Sequence, residues 1–188
     1  MDPQLALTRD LYRQSQERLH RLLDGLPAGP PDDAFNRKPG PRSWSVGECV
    51  VHLNRMSKGY LPVLEEAAAL DGPRGKGPFG YGWVATKFID AQRPGSRSIR
   101  TVKAMRPPPT DGRRSAINRA RALVRFDADT DRYVAAVERA DGLDIGRVMV
   151  RSPFLPILRL PLGAFFEALG HHALRHVAQA ERVARTAG

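Results

Sequence analysis

Four stretches of this 188-residue chain carry apolar side chains every three to four positions, and they limit the fold more than any other feature. That spacing places the apolar residues on one face of a helix and so demands helix-on-helix packing. The first stretch, residues 3–25, repeats Leu5, Leu11, Tyr12, Leu19 and Leu22 between charges and ends near Leu26. The second runs to about Leu70 through Val50, Leu53, Met56, Tyr60 and Leu64. The third spans 114–140 with Ala116, Ala120, Leu123, Phe126, Tyr133 and Val137. The fourth follows Pro161, which suits a first helical position because its missing amide is no loss there, and runs to about Arg185.

The second stretch has the clearest beginning. Ser45 and Glu48 form S-x-x-E, a capping box in which each side chain satisfies an orphan amide of the first turn. Trp44 and Cys49 stand where a hydrophobic staple would place its two residues. Between the helices, 27–41 reads as a Pro- and Gly-rich connection. Residues 71–109 are too long for an ordinary helix–helix link and suggest a short helix over 83–91. Residues 142–160 are extended, with VMVRSPF the most strand-like part. The expected class is all-α: a four-helix bundle in one domain, 1–188, with a loop-rich insertion over 71–112 between helices 2 and 3 and minimal strand.

No window has some 18 consecutive apolar residues, so a spanning helix is not expected. The N-terminus lacks a secretory layout, and the one cysteine, Cys49, excludes an internal disulfide framework and fits a reducing cytoplasm. The net charge of +10 is local. Residues 93–125 hold ten basic side chains against one acid, Asp111, and the rest is near neutral. Such a segment is either a solvated surface or a site for phosphates or an acidic small molecule, and it carries no base-reading motif.

The chemistry lies elsewhere. On the last helix the inward stripe reads Leu162, Phe165, Leu169, His172, His176 and Val183, so two imidazoles one turn apart continue the core face. His52 lies beside the stripe of the second helix. Three neutral imidazoles with an open fourth position make a reactive zinc-type site. Two readings remain at this point: ligands of one metal, or three separately satisfied histidines. His171 points about 100° from His172 and belongs to the surface or the site's outer layer. Glu48 fits its cap better than a ligand or base role, Cys49 fits core better than a soft ligand, and Gln179 reads as a polar neighbour of the site or an ordinary surface amide.

WSVGECVVHL over 44–53 and HALRHVAQAERV over 172–183 together resemble the DinB-like superfamily: a Trp-Ser helix start with Glu then His, and later H-x3-H followed by Gln. The extended crossing SPFLPILRLPLG fits as well. The resemblance implies an up-down-down-up four-helix bundle. It also implies that His52, His172 and His176 bind a divalent metal such as zinc or nickel, that Gln179 orients water or substrate, and that the chain forms a homodimer. It implies a metal-dependent enzyme, a thiol S-transferase or hydrolase, acting with a low-molecular-weight bacterial thiol or activated water on an electrophilic substrate. The alternatives are a non-catalytic metal-binding scaffold and a nucleic-acid-binding module using 93–125.

Overall fold

The computed structural model describes residues 1–26, 33–97, 101–110 and 112–187. It is mostly helical: α1 (Pro3–Asp24), α2 (Asp33–Asn36), α3 (Val46–Ala68), α4 (Gly82–Asp90), α5 (Arg119–Arg139) and α6 (Leu162–Ala187). A 3-10 turn covers Lys103–Met105. A small antiparallel pair, β1 (Met149–Arg151) and β2 (Arg159–Pro161), is the one sheet among the described residues, with Val150 opposite Leu160.

The starts of α1 and α3 fall where the sequence placed them, with their causes. The Asp2 carboxylate caps α1 by accepting from Gln4 N at 2.9 Å, with Pro3 in the first turn. At α3, Ser45 Oγ accepts from Glu48 N at 3.0 Å while Ser45 N donates to Glu48 Oε2 at 2.8 Å, which is the capping box read from sequence. Helix α5 starts later than the periodicity suggested, at Arg119 instead of Arg114. Asn118 takes the cap, accepting from Arg121 N at 2.8 Å, and the preceding residues are held extended against α2. There Asn36 Oδ1 accepts from Ile117 N at 2.9 Å and from Ser115 Oγ at 2.5 Å. Pro161 closes β2 opposite Met149, and α6 begins one residue later.

Helix α1 packs on α5 and α6, and α3 packs on the same two helices. Two apolar clusters fill the interior. One gathers Leu5, Tyr12, Tyr60, Leu64 and Val137 with Phe165; the other gathers Leu19, Val46, Cys49 and Phe126 with Val177. The β1–β2 hairpin folds back so that Phe154 lies over Gly59, where the absence of a Cβ gives its ring room.

The long connection after α3 is tied down at several points, unlike a free loop. Gly77 N donates to Asp2 Oδ2 and Phe79 N to Gln4 Oε1, each at 2.8 Å. Asp144 N donates to Pro73 O at 2.7 Å. Helix α4 packs on α6 and the 3-10 turn packs on α3, so the connection reaches both helices that carry the candidate histidines. Of the stretch read as a linker over 27–41, residues 27–32 lie outside the described residues, and the remainder contains α2 with Phe35 buried.

Candidate metal centre

Helix periodicity brings His172 and His176 to one face of α6, and the packing of α3 against α6 sets His52 opposite them. The ring centroids stand 4.4 Å apart for His52–His176, 4.5 Å for His172–His176 and 5.2 Å for His52–His172. One nitrogen from each ring falls in a group whose atoms all lie within 4.8 Å of one another. His52 is 1% exposed and His176 7%.

Two of the rings are oriented from outside. His52 Nδ1 lies 2.8 Å from the Met105 carbonyl oxygen, and His172 Nδ1 lies 2.7 Å from Gln92 Oε1. A carbonyl oxygen accepts only, so each Nδ1 carries the proton and each Nε2 presents a lone pair. Those two Nε2 atoms face each other at 3.0 Å. Ligands about 2.0–2.1 Å from a tetrahedral zinc sit some 3.3 Å apart, close to this spacing. His176 Nδ1 is buried and has no hydrogen-bond partner among the described residues. Converging lone pairs and an orphaned ring nitrogen are what a bound cation would satisfy, so the residues present fit a divalent metal.

The electrostatics keep the rings neutral. Burial pushes His52 below the usual imidazole value, against the opposing hydrogen bond to Met105. His172 and His176 are pushed well below it, first by burial and then by the neighbouring histidines and Arg175. Gln179 faces His176 and pulls in the other direction, without bonding its buried Nδ1. Trp44 packs against the same group, its ring 5.0 Å from His52 and 5.7 Å from His176. It also packs against the apolar cluster that contains Cys49, so one ring borders both that core and the histidines.

The rings border a cavity of about 600 Å³, which Trp44, Gln92, Met105, Arg175 and Gln179 help to line. Arg175 donates to the Ala91 and Arg97 carbonyl oxygens, each at 2.9 Å, and to Ser96 Oγ. It thereby fixes the turn that presents Gln92 to His172.

Other sequence candidates fall away from the cluster. Glu48 is committed to its cap, to Thr110 Oγ1 at 3.0 Å and to a buried ion pair with Lys38 at 3.5 Å. Cys49 is buried apolar core, and its thiol is pushed up by desolvation, which disfavours the thiolate a metal needs. His171 turns aside to Glu167 Oε1 at 3.7 Å. The basic residues of 93–125 are dispersed: Arg93 pairs with Asp90 and Glu167, and Arg125 with Asp129. Arg100 and Asp111 of that segment lie outside the described residues.

Sequence reasoning missed Gln92 and the Met105 carbonyl. The second has no side-chain signature at all. The first sits in a Gly- and Pro-rich segment whose path onto α6 no periodicity reveals.

No helix among the described residues is long and apolar enough to cross a membrane. Searches of curated proteins and of solved structures found no match. The model of one family, described as the DinB superfamily, matches residues 11–180, a span that takes in all three histidines, the block over 44–53 and the later block as far as residue 180. By that match the chain belongs to the DinB superfamily.

Proposed function

We propose that this protein binds one divalent metal ion, zinc or nickel, through His52, His172 and His176, and uses it as a metal-dependent enzyme of the thiol S-transferase type. The observation that carries the reading is the facing pair of Nε2 lone pairs, each fixed by an Nδ1–H donated to a carbonyl oxygen. Three neutral imidazoles leave coordination positions open. A divalent ion held there supplies Lewis acidity that lowers the pKa of a bound thiol or water. Met105 and Gln92 hold the tautomers of His52 and His172. In this reading Trp44, packed on His52 and His176, shields one side of the rings, and Gln179, which lines the cavity, orients a substrate or water. The substrates in this reading are a low-molecular-weight thiol and an electrophile, with hydrolysis by activated water as the variant reaction.

The same reading includes one domain over 1–188, an up-down-down-up course of α1, α3, α5 and α6, a homodimer and a cytoplasmic setting. The helix course is supported by paired contacts. Tyr12 bonds Phe166 O and Arg18 bonds Glu181, ascending together, whereas Arg13 meets Asp131 and Arg119 meets Leu23 O in opposite order.

The test is metal content of protein purified without a histidine tag, beside the His52→Ala, His172→Ala, His176→Ala triple variant. About one divalent ion per chain in the first and none in the second is expected. Absence of metal in the wild type, with none taken up on adding zinc or nickel, overturns the reading. If metal-loaded protein gives no metal-dependent conjugation across common thiols and electrophiles, the transferase part fails and a metal-binding scaffold is left.

A further inference from the structure

The cavity beside the histidines has an uneven chemical lining. Its walls include Met56, Phe88, Leu155 and Leu158, which are apolar, and two arginines, Arg42 and Arg175, but no aspartate or glutamate among the described residues. Among the described residues Arg175 meets only neutral oxygens, those of Ala91, Ser96 and Arg97. Its guanidinium has five N–H donors, and these three bonds leave two to offer. Arg42 is exposed and makes no hydrogen bond or ion pair among the described residues. Elsewhere in the molecule arginines find carboxylates readily: Arg18 with Glu181, Arg125 with Asp129, Arg132 with Glu65. Two arginines without carboxylate partners on one cavity, Arg175 partly buried and Arg42 exposed, therefore leave a net positive field there, and a bound divalent cation would add to it.

We infer that this cavity takes a small organic carboxylate, with Arg175 and Arg42 receiving the anionic head and the Met56, Phe88, Leu155 and Leu158 wall receiving an apolar body. A cavity of about 600 Å³ suits a compact metabolite-sized ligand, and a mostly apolar wall with few charged groups is how such sites fix orientation. The planar guanidinium fork matches a carboxylate in two parallel hydrogen bonds. This names a substrate class for the site proposed above and rests on that reading for its catalytic meaning.

The experiment is calorimetric titration of decanoate, decylammonium and decanol into metal-free and zinc-loaded protein, with zinc content measured separately. Decanoate is expected to bind at least about tenfold tighter than decylammonium in both forms, since tenfold is the discrimination one well-placed charge pair supplies. Arg42→Gln and Arg175→Gln should each weaken decanoate severalfold and leave decanol unchanged, and Arg175→Lys should recover part of the loss. Arg42 has no partner to lose among the described residues, so its variant tests the charge, and thermal melting checks that the Arg42 and Arg175 variants keep the fold. Equal binding of decanoate and decylammonium, indifference to both substitutions, or no binding of any probe overturns the inference. Zinc uptake without discrimination sinks this inference alone. Discrimination in metal-free protein that takes up no zinc sinks the metal reading alone.

Discussion

The Nε2 atoms of His52 and His172, borne on different helices and 120 residues apart, face each other at 3.0 Å with both Nδ1 atoms turned to carbonyl oxygens. Two lone pairs at that distance repel unless a cation lies between them or one ring is protonated, and burial opposes protonation. The relationship makes the site a pre-shaped acceptor of positive charge, and the partners that fix the tautomers become testable.

Gln92→Leu removes the acceptor that fixes the His172 tautomer while leaving all three rings in place. Loss of such a partner weakens metal binding by about 10- to 100-fold. Zinc competition against a chelating indicator measures it. Unchanged affinity would mean that the Gln92–His172 bond plays no part in holding the ion.

His176→Leu should separate the site's stability from its binding. The orphaned Nδ1 of His176 costs the metal-free fold about 1–3 kcal/mol, the usual penalty for a buried polar atom without a partner. Metal-free H176L is therefore expected to melt at or above the wild-type temperature. Zinc at about a hundred times its dissociation constant stabilises a protein by about 2.7 kcal/mol, and this gain should appear in the wild type and vanish in the variant. A variant that melts well below the metal-free wild type would show that the ring is satisfied by something other than a metal.

Asp129 gives the pH prediction. The residue is 2% exposed, and burial raises its pKa, helped by Glu65 and opposed by Arg125 and Arg132. The folded state thus binds this proton more tightly than the unfolded chain, so ionisation costs stability that is fully lost at neutral pH. Asp129→Asn removes the penalty and should raise the melting temperature at pH 7. The advantage should shrink as pH falls through the raised value and be gone below about 3.9, where the unfolded carboxyl is protonated too. A lower melting temperature for D129N at pH 7 would mean that the arginine pairs outweigh the burial.

How much of this was legible follows from which interactions are local. The Ser45–Glu48 cap spans one turn and could be read from four letters, and it is present atom for atom. The convergence of His172 and His176 follows from a four-residue spacing on an apolar stripe. That His52 joins them depends on how α3 packs against α6, and there the motif order supplied what periodicity lacks. The start of α5 was misplaced by five residues because Asn36, far away in sequence, competes for the backbone and side chains of 115–117. Gln92 and Met105 O were invisible for a related reason: they come from the long connection, whose course is set by tertiary ties such as Gly77 to Asp2.

Gly59 tests whether the hairpin is packed as tightly as the structure has it. In a helix interior, glycine to alanine is ordinarily worth about 1 kcal/mol of added stability. Here a Cβ on residue 59 would run into the Phe154 ring, which also sits edge-on to Tyr60 at 5.4 Å. Tyr60 is in turn bonded through its hydroxyl to Ser152 Oγ at 3.0 Å, so the ring has little freedom to retreat. Overpacking of this kind costs about 1–3 kcal/mol, enough to reverse the sign of the helix gain. Gly59→Ala is therefore expected to destabilise the protein in chemical denaturation. Placed in a Phe154→Ala background, where the ring is gone, the same substitution should stabilise it. The cycle isolates the contact, since each single change has its own baseline. If Gly59→Ala is stabilising in both backgrounds, the hairpin does not lie on α3 at this point, and the Leu155 and Leu158 wall of the cavity loses its support.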